Sequence, residues 1–287
     1  MKISVSSYSF HQYIEKGKMT QLDCVKKAKE MGFDAIEFID IDGKNLDEQK
    51  ENALKLNKAA KENGIEINAY TIGACLFNDS EEEMEKEVNR LKGQLDVAKI
   101  LGAKLMRHDV CYTLGKTGKS RSFDLMLGDI AKNARLVTEY GESLGIKTCT
   151  ENHGYIAQDS YRVEKLFNAV NHDNYGLLVD IGNFICADEN PVTAVSRVAP
   201  YAIHVHAKDM YVRSTPSEAC ASHTRGMNYF GGAVVGEGDI PVKQCLAILK
   251  NAGYDGYVSI EYEGAEDCID GISRGYKNLK RIISELG

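Results

Sequence analysis

The protein has 287 residues, a length that suits one large α/β barrel or two ordinary domains. Hydrophobic residues make up 43% of the chain and charged residues 27%, which excludes an intrinsically disordered protein and allows a sizeable packed core. The formal net charge of −7 and the lack of any Lys- or Arg-rich run argue against nucleic acid or an anionic membrane as a partner.

The chain begins with a predicted strand over residues 3–7 rather than with a targeting segment. Residues 1–8 lack the apolar region of a signal peptide, and no apolar run in the chain is long enough to cross a bilayer. The 8 cysteines are scattered without a Cys-x-x-Cys pair, so we expect buried thiols rather than disulfides. We therefore expect a cytoplasmic protein.

A unit made of an amphipathic helix, a glycine and a short apolar strand recurs along the chain. In its first copy, residues 22–31 form the helix, Gly32 closes it, and residues 35–39 form the strand. Glycine tolerates the left-handed backbone that ends a helix, so each such glycine marks a helix-to-strand turn. The further predicted strands are 65–69, 104–107, 146–150, 176–180, 202–206 and 257–261.

Strands that alternate with helices predict a parallel sheet, and eight of them at this length predict a single-domain (β/α)₈ TIM barrel over residues 1–287. A doubly wound open sheet is the alternative, but no Gly-x-Gly-x-x-Gly follows the first strand. Residues 211–238, after the seventh strand, are polar and Gly-rich. We interpret them as a long loop that is either a lid over the barrel mouth or a plain surface insertion.

The last four predicted strands end in an acidic or an imidazole side chain: Glu151, Asp180, His206 and Glu261. In a TIM barrel the C-terminal ends of the strands share one face, where catalytic residues lie. Each of these residues follows an apolar run, and burying several carboxylates together is costly without a cation. The set therefore predicts one divalent ion, and its mixed oxygen and nitrogen ligands suit Mn²⁺, Mg²⁺, Co²⁺ or Zn²⁺. The alternative is that each acid only caps the following helix.

The motifs at these strand ends resemble the sugar phosphate isomerase/epimerase family. Members of this xylose-isomerase-like family include ketose 3-epimerases, inosose dehydratases and isomerases, and the class II AP endonucleases. The resemblance covers nearly the whole chain and is carried by residues 151–153 (Glu-Asn-His), 180–183 (Asp-Ile-Gly-Asn), 204–209 (His-Val-His-Ala-Lys-Asp) and 235–240. It implies that Glu151, Asp180, His206 and Glu261 are the metal ligands, with Mn²⁺ as the first choice, and that Glu151 and Glu261 also form the catalytic acid/base pair.

One position departs from the family pattern. Asn183 stands where many members carry a His that binds extra metals in the endonucleases and contacts substrate in the ketose epimerases. This difference argues against a multi-metal nuclease. The residues predicted to contact substrate at the barrel mouth are Tyr8, Glu37, Arg107, His108, His153, Asn183 and Lys208.

These substrate contacts have plainer alternatives. Lys208 could instead form a structural ion pair with Asp209 or a neighbouring acid, and Tyr8 could be no more than a wall of the pocket. His153 could hydrogen-bond only within the polar mouth. His204 shares a strand face with His206 but lies one layer deeper, so we expect it to support His206 rather than bind metal.

The predicted site suits proton transfer next to a carbonyl. A Lewis-acidic ion stabilises the enediolate that forms when a proton leaves the adjacent carbon, and carboxylates can take and return that proton. The first hypothesis is an isomerase or epimerase of a ketose, keto-sugar or cyclic polyol. The protein could also form a homo-oligomer. The alternatives are a lyase, either an inosose-type dehydratase or an enzyme that β-eliminates a keto-glycoside, with Lys208 or His204 as the acid. The third hypothesis is a non-catalytic sugar-binding barrel.

Overall fold

The computed structural model describes all 287 residues, Met1–Gly287. Eight parallel strands form a closed barrel, in which each strand pairs with the barrel strands before and after it in the chain. The first strand pairs with the second and also with the last, which closes the ring. The barrel strands are β1 Lys2–Ser6, β2 Ala35–Ile39, β3 Glu66–Ile72, β4 Leu105–His108, β5 Lys147–Glu151, β6 Tyr175–Asp180, β7 Ala202–Ala207 and β11 Tyr257–Ile260. The predicted TIM barrel is therefore confirmed.

Helices surround the barrel: α1 His11–Glu15, α2 Gln21–Glu30, α3 Leu46–Asn63, α4 Glu81–Leu101, α5 Phe123–Leu144, α6 Ser160–Val170, α7 Pro191–Val198, α8 Val242–Asn251 and α9 Cys268–Glu285. Gly102 closes α4 at φ 88°, a left-handed conformation that a side chain would strain. At the other end of α4 the Ser80 hydroxyl accepts a hydrogen bond from the Glu83 amide. None of the helices combines the length and the apolar composition needed to span a membrane.

Alternation of side chains along the barrel strands separates the hydrophobic layer from the polar interior. On β11, Val258 and Ile260 pack in the main core between sheet and helices, so Ser259 takes the inward-facing position between them. On β6, Leu178 lies two residues before Asp180 and belongs to a small apolar cluster with Cys149. The strand period therefore puts the last inward-facing residue of each strand in the mouth, above a packed floor.

The segment after β7 differs from the predicted loop. It forms a three-stranded antiparallel sheet of β8 Asp209–Arg213, β9 Ser222–His223 and β10 Tyr229–Ala233, in which β10 lies between the other two. Side-chain contacts hold this sheet against neighbouring loops, since Arg225 pairs with Asp159 at 2.9 Å and the Thr224 hydroxyl donates to Asp188 at 2.7 Å. The predicted long loop is therefore not confirmed, since strands interrupt it at residues 211–213, 222–223 and 229–233, and its role as a lid stays a prediction.

Candidate metal centre

Four side chains converge at the C-terminal mouth of the barrel: Glu151, Asp180, His206 and Glu261. All four are buried, and one donor atom from each lies within 4.8 Å of the donor atoms of the other three. The Nδ1 atom of His206 lies 3.6 Å from Glu151 Oε1, 3.9 Å from Asp180 Oδ2 and 3.5 Å from Glu261 Oε2.

The donor atoms of this cluster fit a divalent cation. His206 Nδ1 and Asp180 Oδ2 are buried and have no hydrogen-bond partner in the protein. Unpaired buried polar atoms are costly, and both of these face the other acidic ligands. Three carboxylates and one imidazole form a mixed oxygen and nitrogen set that suits Mn²⁺, Mg²⁺, Co²⁺ or Zn²⁺. These four residues could therefore hold one ion.

Glu151 is held by polar contacts on both of its oxygens. Arg107 Nε donates to Oε2 at 2.6 Å, its Nη2 contacts the same oxygen, and Asn183 Nδ2 donates to Oε1 at 2.9 Å. Burial opposes ionisation of Glu151, but the adjacent Arg107 guanidinium and His206 more than offset it and hold the pKa of this carboxyl well below its usual range. Glu151 is therefore ionised and held in place by these contacts.

Lys208 lies among the other acids of the cluster. Its Nζ is 2.6 Å from Glu261 Oε2, 3.2 Å from Glu263 Oε1 and 3.4 Å from Asp180 Oδ2. Burial raises the pKa of Glu261, but Lys208 and then His206 outweigh it and lower that pKa to about 2. For Asp180, burial dominates over Lys208 and raises the pKa to about 6. The buried ammonium thus offsets part of the negative charge at the mouth.

A cavity of about 250 Å³ opens directly beside these ligands. Its lining is mostly polar: Tyr8, Ile39, Asp40, Gly73, Arg107, Asp109, Tyr112, His153, Lys208, Glu261 and Glu263. This volume lies slightly below the range of about 300–1,000 Å³ that is typical of ligand pockets, so the cavity suits a small molecule only. Asp109 organises one wall, because its carboxylate accepts from Arg107 Nη1 at 3.1 Å and Tyr112 Oη at 2.9 Å and lies 2.9 Å from His153 Nδ1.

Four of the predicted substrate contacts, Tyr8, Arg107, His153 and Lys208, line this cavity. Asn183 does not line the cavity but bridges Glu151 and Lys208, whose Nζ is 3.3 Å from Asn183 Oδ1. Lys208 pairs with the cluster rather than with Asp209, because the Asp209 carboxylate accepts from the backbone amides of residues 236, 238 and 240.

Like Asn183, the predicted substrate contacts Glu37 and His108 lie outside the cavity. His108 is fully buried on the opposite side of β4 from Arg107, with its ring 6.4 Å from the Tyr175 ring. Successive residues of a strand point to opposite faces, and Arg107 occupies the inward one. Glu37 is also fully buried, two residues before the end of β2, where its carboxylate contacts His204 and His206.

Sequence reasoning missed three polar residues of the cavity, Asp40, Tyr112 and Glu263, as well as Ile39 and Gly73. The spacing of Glu263 from Glu261 carried a signal, because residues two apart on an extended chain share a face. Tyr112 follows β4 in a segment without regular structure, and Asp40 adopts a left-handed backbone at φ 37° just after β2. No local pattern indicates where either side chain points.

Comparisons with known proteins agree with this fold. The family model described as a xylose isomerase-like TIM barrel matches residues 25–282. The chain is 24% identical over 143 residues to an inosose dehydratase of Lacticaseibacillus casei, a match over 48% of this chain and 44% of that relative. The chain thus spans less than half the length of this curated relative.

Two solved structures superpose on nearly the whole chain. One is the IOLI protein with a binding zinc atom, with a TM-score of 0.77 at 18% identity over 100% of this chain and 99% of that one. The other is an L-ribulose 3-epimerase, with a TM-score of 0.75 at 15% identity over 99% and 95%. At these identities the structural matches show the fold alone. Because the family model covers most of the chain, the protein belongs to the xylose isomerase-like TIM barrel family.

Proposed function

We propose that this protein is a divalent-metal-dependent isomerase or epimerase of an uncharged ketose, keto-sugar or cyclic polyol. The observation that carries the proposal is the convergence of Glu151, Asp180, His206 and Glu261 around an unpartnered His206 Nδ1, beside a small polar cavity. Mn²⁺ is the first candidate for the ion, with Mg²⁺, Co²⁺ and Zn²⁺ as alternatives.

The bound ion would supply Lewis acidity to a substrate carbonyl and its neighbouring hydroxyl. Glu261 lines the cavity and is the first candidate to take the proton from the adjacent carbon. Glu151 comes from β5, across the mouth from Glu261, and is the candidate to return a proton from the other face. Its pairing with Arg107 makes it the weaker base of the two. Lys208 and His153 line the same cavity and would hold substrate hydroxyls.

The charges around the cavity favour a neutral substrate. Arg107 is already paired with Glu151 and Asp109, and Lys208 is paired with Glu261 and Glu263. No cation in the lining is left over for a phosphate group, and Asp40 adds a further acid. A dianionic phosphate would meet these carboxylates without a compensating bidentate arginine.

The test is hydrogen exchange in D₂O. The protein is stripped with a chelator and reloaded in turn with Mn²⁺, Mg²⁺, Co²⁺ or Zn²⁺. Each form is incubated with a panel of ketoses, keto-sugars and inososes, each with its phosphorylated form where one exists. We expect deuterium at the carbon next to the carbonyl, an isomeric product, and loss of both in Glu261→Gln. The exposed Glu285→Gln is the matched control and should behave as the parent. The proposal fails if no sugar of the panel exchanges with any of the four metals.

A lyase is the second candidate, favoured by the similarity to an inosose dehydratase and by the buried Lys208 beside the ligands. In this reaction Glu261 takes the proton and Lys208 donates one to the departing β-hydroxyl or glycosyl oxygen. The same incubation separates the two functions, since elimination yields an unsaturated carbonyl product with its ultraviolet absorbance. Substrate binding without exchange or elimination would instead indicate a non-catalytic sugar-binding barrel.

A further inference from the structure

A second buried cluster lies on the side of His206 that faces away from the other ligands. The Glu37 carboxylate contacts two imidazoles, with Oε1 2.8 Å from His206 Nε2 and Oε2 2.5 Å from His204 Nε2. Relative exposure is 0% for Glu37, 2% for His204 and 0% for His206. The two rings are nearly perpendicular, at 77°, with centroids 5.5 Å apart. Each oxygen of the Glu37 carboxylate thus contacts one imidazole ring.

The contact to Glu37 decides which nitrogen of His206 is free. An ionised carboxylate only accepts hydrogen bonds, so the Nε2 atoms of both rings must carry hydrogen. In neutral His206 the lone pair then resides on Nδ1, the atom that lies 3.5–3.9 Å from oxygens of Glu151, Asp180 and Glu261 and has no hydrogen-bond partner. The opposite tautomer would turn an N–H toward the ion and leave Nε2 as an acceptor facing an acceptor.

The barrel provides the space for this contact. Glu37 is on β2 and His206 is on β7, and β1 and β11 lie between them in the ring. The outward-facing residues of those two strands belong to the main core, which leaves serines on the inner face, Ser4 and Ser6 on β1 and Ser259 on β11. Small side chains here let the Glu37 carboxylate reach across two strands. Ser259 pairs in register with His206 itself.

We propose that Glu37 is a positioning residue of the metal centre. It acts through His206, holding the Nε2–H tautomer so that Nδ1 faces the ion, while His204 fixes the second carboxylate oxygen. Carboxylates that orient metal-binding histidines in this way are worth about 10- to 100-fold in metal affinity. The inference rests on the proposed metal site, but it is measured by metal binding and tautomer state rather than by turnover.

The experiment uses Zn²⁺ as the probe, measured at pH 8 by competition with a chromogenic chelator, on Glu37→Gln and on the exposed control Glu285→Gln. Glutamine keeps the shape but offers one acceptor and one donor, so it cannot accept from both imidazoles. We expect one zinc per chain in all proteins and at least 10-fold weaker binding in Glu37→Gln only. His204→Asn keeps Glu37 and should weaken binding by a smaller factor.

Two results would overturn the proposal. The first is unchanged zinc affinity in a Glu37→Gln protein whose circular dichroism matches the parent. The second is two zinc ions per parent chain falling to one in the variant, which would make Glu37, His204 and His206 a metal site of their own. If Glu37→Gln does not fold, ¹⁵N NMR of the zinc-loaded parent decides, because a His206 ring without a proton on Nε2 contradicts the proposal. Failure of catalysis with an intact affinity difference would refute only the proposed function.

Discussion

Replacing Arg107 with methionine tests how much of the barrel's stability depends on compensating the buried carboxylates of the proposed metal site when no ion is bound. The guanidinium is buried, with Nε 2.6 Å from Glu151 Oε2 and Nη1 3.1 Å from Asp109 Oδ2 and 3.2 Å from the Ile72 carbonyl oxygen. Asp109 retains contacts with Tyr112 and His153 when Arg107 is removed, whereas Glu151 Oε2 retains none in the protein. An uncompensated buried charge of this kind costs about 3–5 kcal/mol.

The assay is urea unfolding followed by far-ultraviolet circular dichroism in excess chelator. We expect Arg107→Met to lower the free energy of unfolding by about 3–5 kcal/mol, and Arg213→Met, which breaks an exposed pair with Asp239, to change it by no more than about 1 kcal/mol. Saturating Zn²⁺ should recover part of the loss, since the ion also neutralises Glu151. A second variant, Arg107→Met with Glu151→Gln, should be more stable than Arg107→Met alone.

Equal losses in Arg107→Met and Arg213→Met would refute this reasoning, because they would show that the Glu151 charge finds compensation elsewhere. So would a double variant that is less stable than either single one. If Arg107→Met does not fold, Arg107→Lys keeps the charge but loses the two-pronged contact, and we expect it to fold with a lower free energy of unfolding than the exposed control Arg213→Met.

Three further predictions follow from the same site. Zn²⁺ at 100 times its Kd should raise the free energy of unfolding by about 2.7 kcal/mol. In a thermal-shift titration at the same zinc concentration, Asp180→Asn should show a smaller gain, and an undiminished gain would show that Asp180 is not a ligand. In chelator, the lowered pKa of Glu261, about 2, means that its ionised form stabilises the fold above the unfolded pKa near 4.5, and that this contribution is lost as the pH falls toward 2. The stability difference between the parent and Glu261→Gln should therefore shrink over that window in urea titrations, and a pH-independent difference would contradict the shift. Gly182→Ala should lower the free energy of unfolding by about 1–3 kcal/mol, because its Cβ would lie 2.7 Å from the Lys208 carbonyl oxygen. Gly128→Ala, which has open space around it in α5, should raise the free energy of unfolding by about 0.5–1 kcal/mol. Similar effects in both variants would contradict the clash at Gly182.

The barrel and the convergence of four candidate metal-binding side chains could be predicted because both depend on short-range patterns. The glycines that end helices and the two-residue period of the strands are local properties, so eight strands and their terminal residues are visible in the amino-acid order. In a closed parallel barrel all strand ends meet at one face. Glu151, Asp180, His206 and Glu261 are therefore expected to be neighbours although they come from different parts of the chain.

The small sheet after β7 could not be predicted in the same way. Its central strand, β10, is rich in glycine, and Gly231 and Gly232 pair with Tyr211 and Met210 of β8 across a long connection. Glycine has a low intrinsic preference for strands, so the composition indicates a loop. The close approach of other backbone explains the glycines, since a Cβ on Gly232 would lie 2.4 Å from the Glu263 backbone.

By itself, the sequence determined which residue types stand at the mouth of a barrel and that several carboxylates there need a cation. Only the tertiary structure decided what each one touches. Glu37 has the same polar character as the mouth residues, yet it lies inside the barrel against His204 and His206, because the serines of β1 and β11 leave room for it to reach across. The reach of a side chain across a closed barrel depends on the sizes of residues on other strands, and no local pattern contains that information.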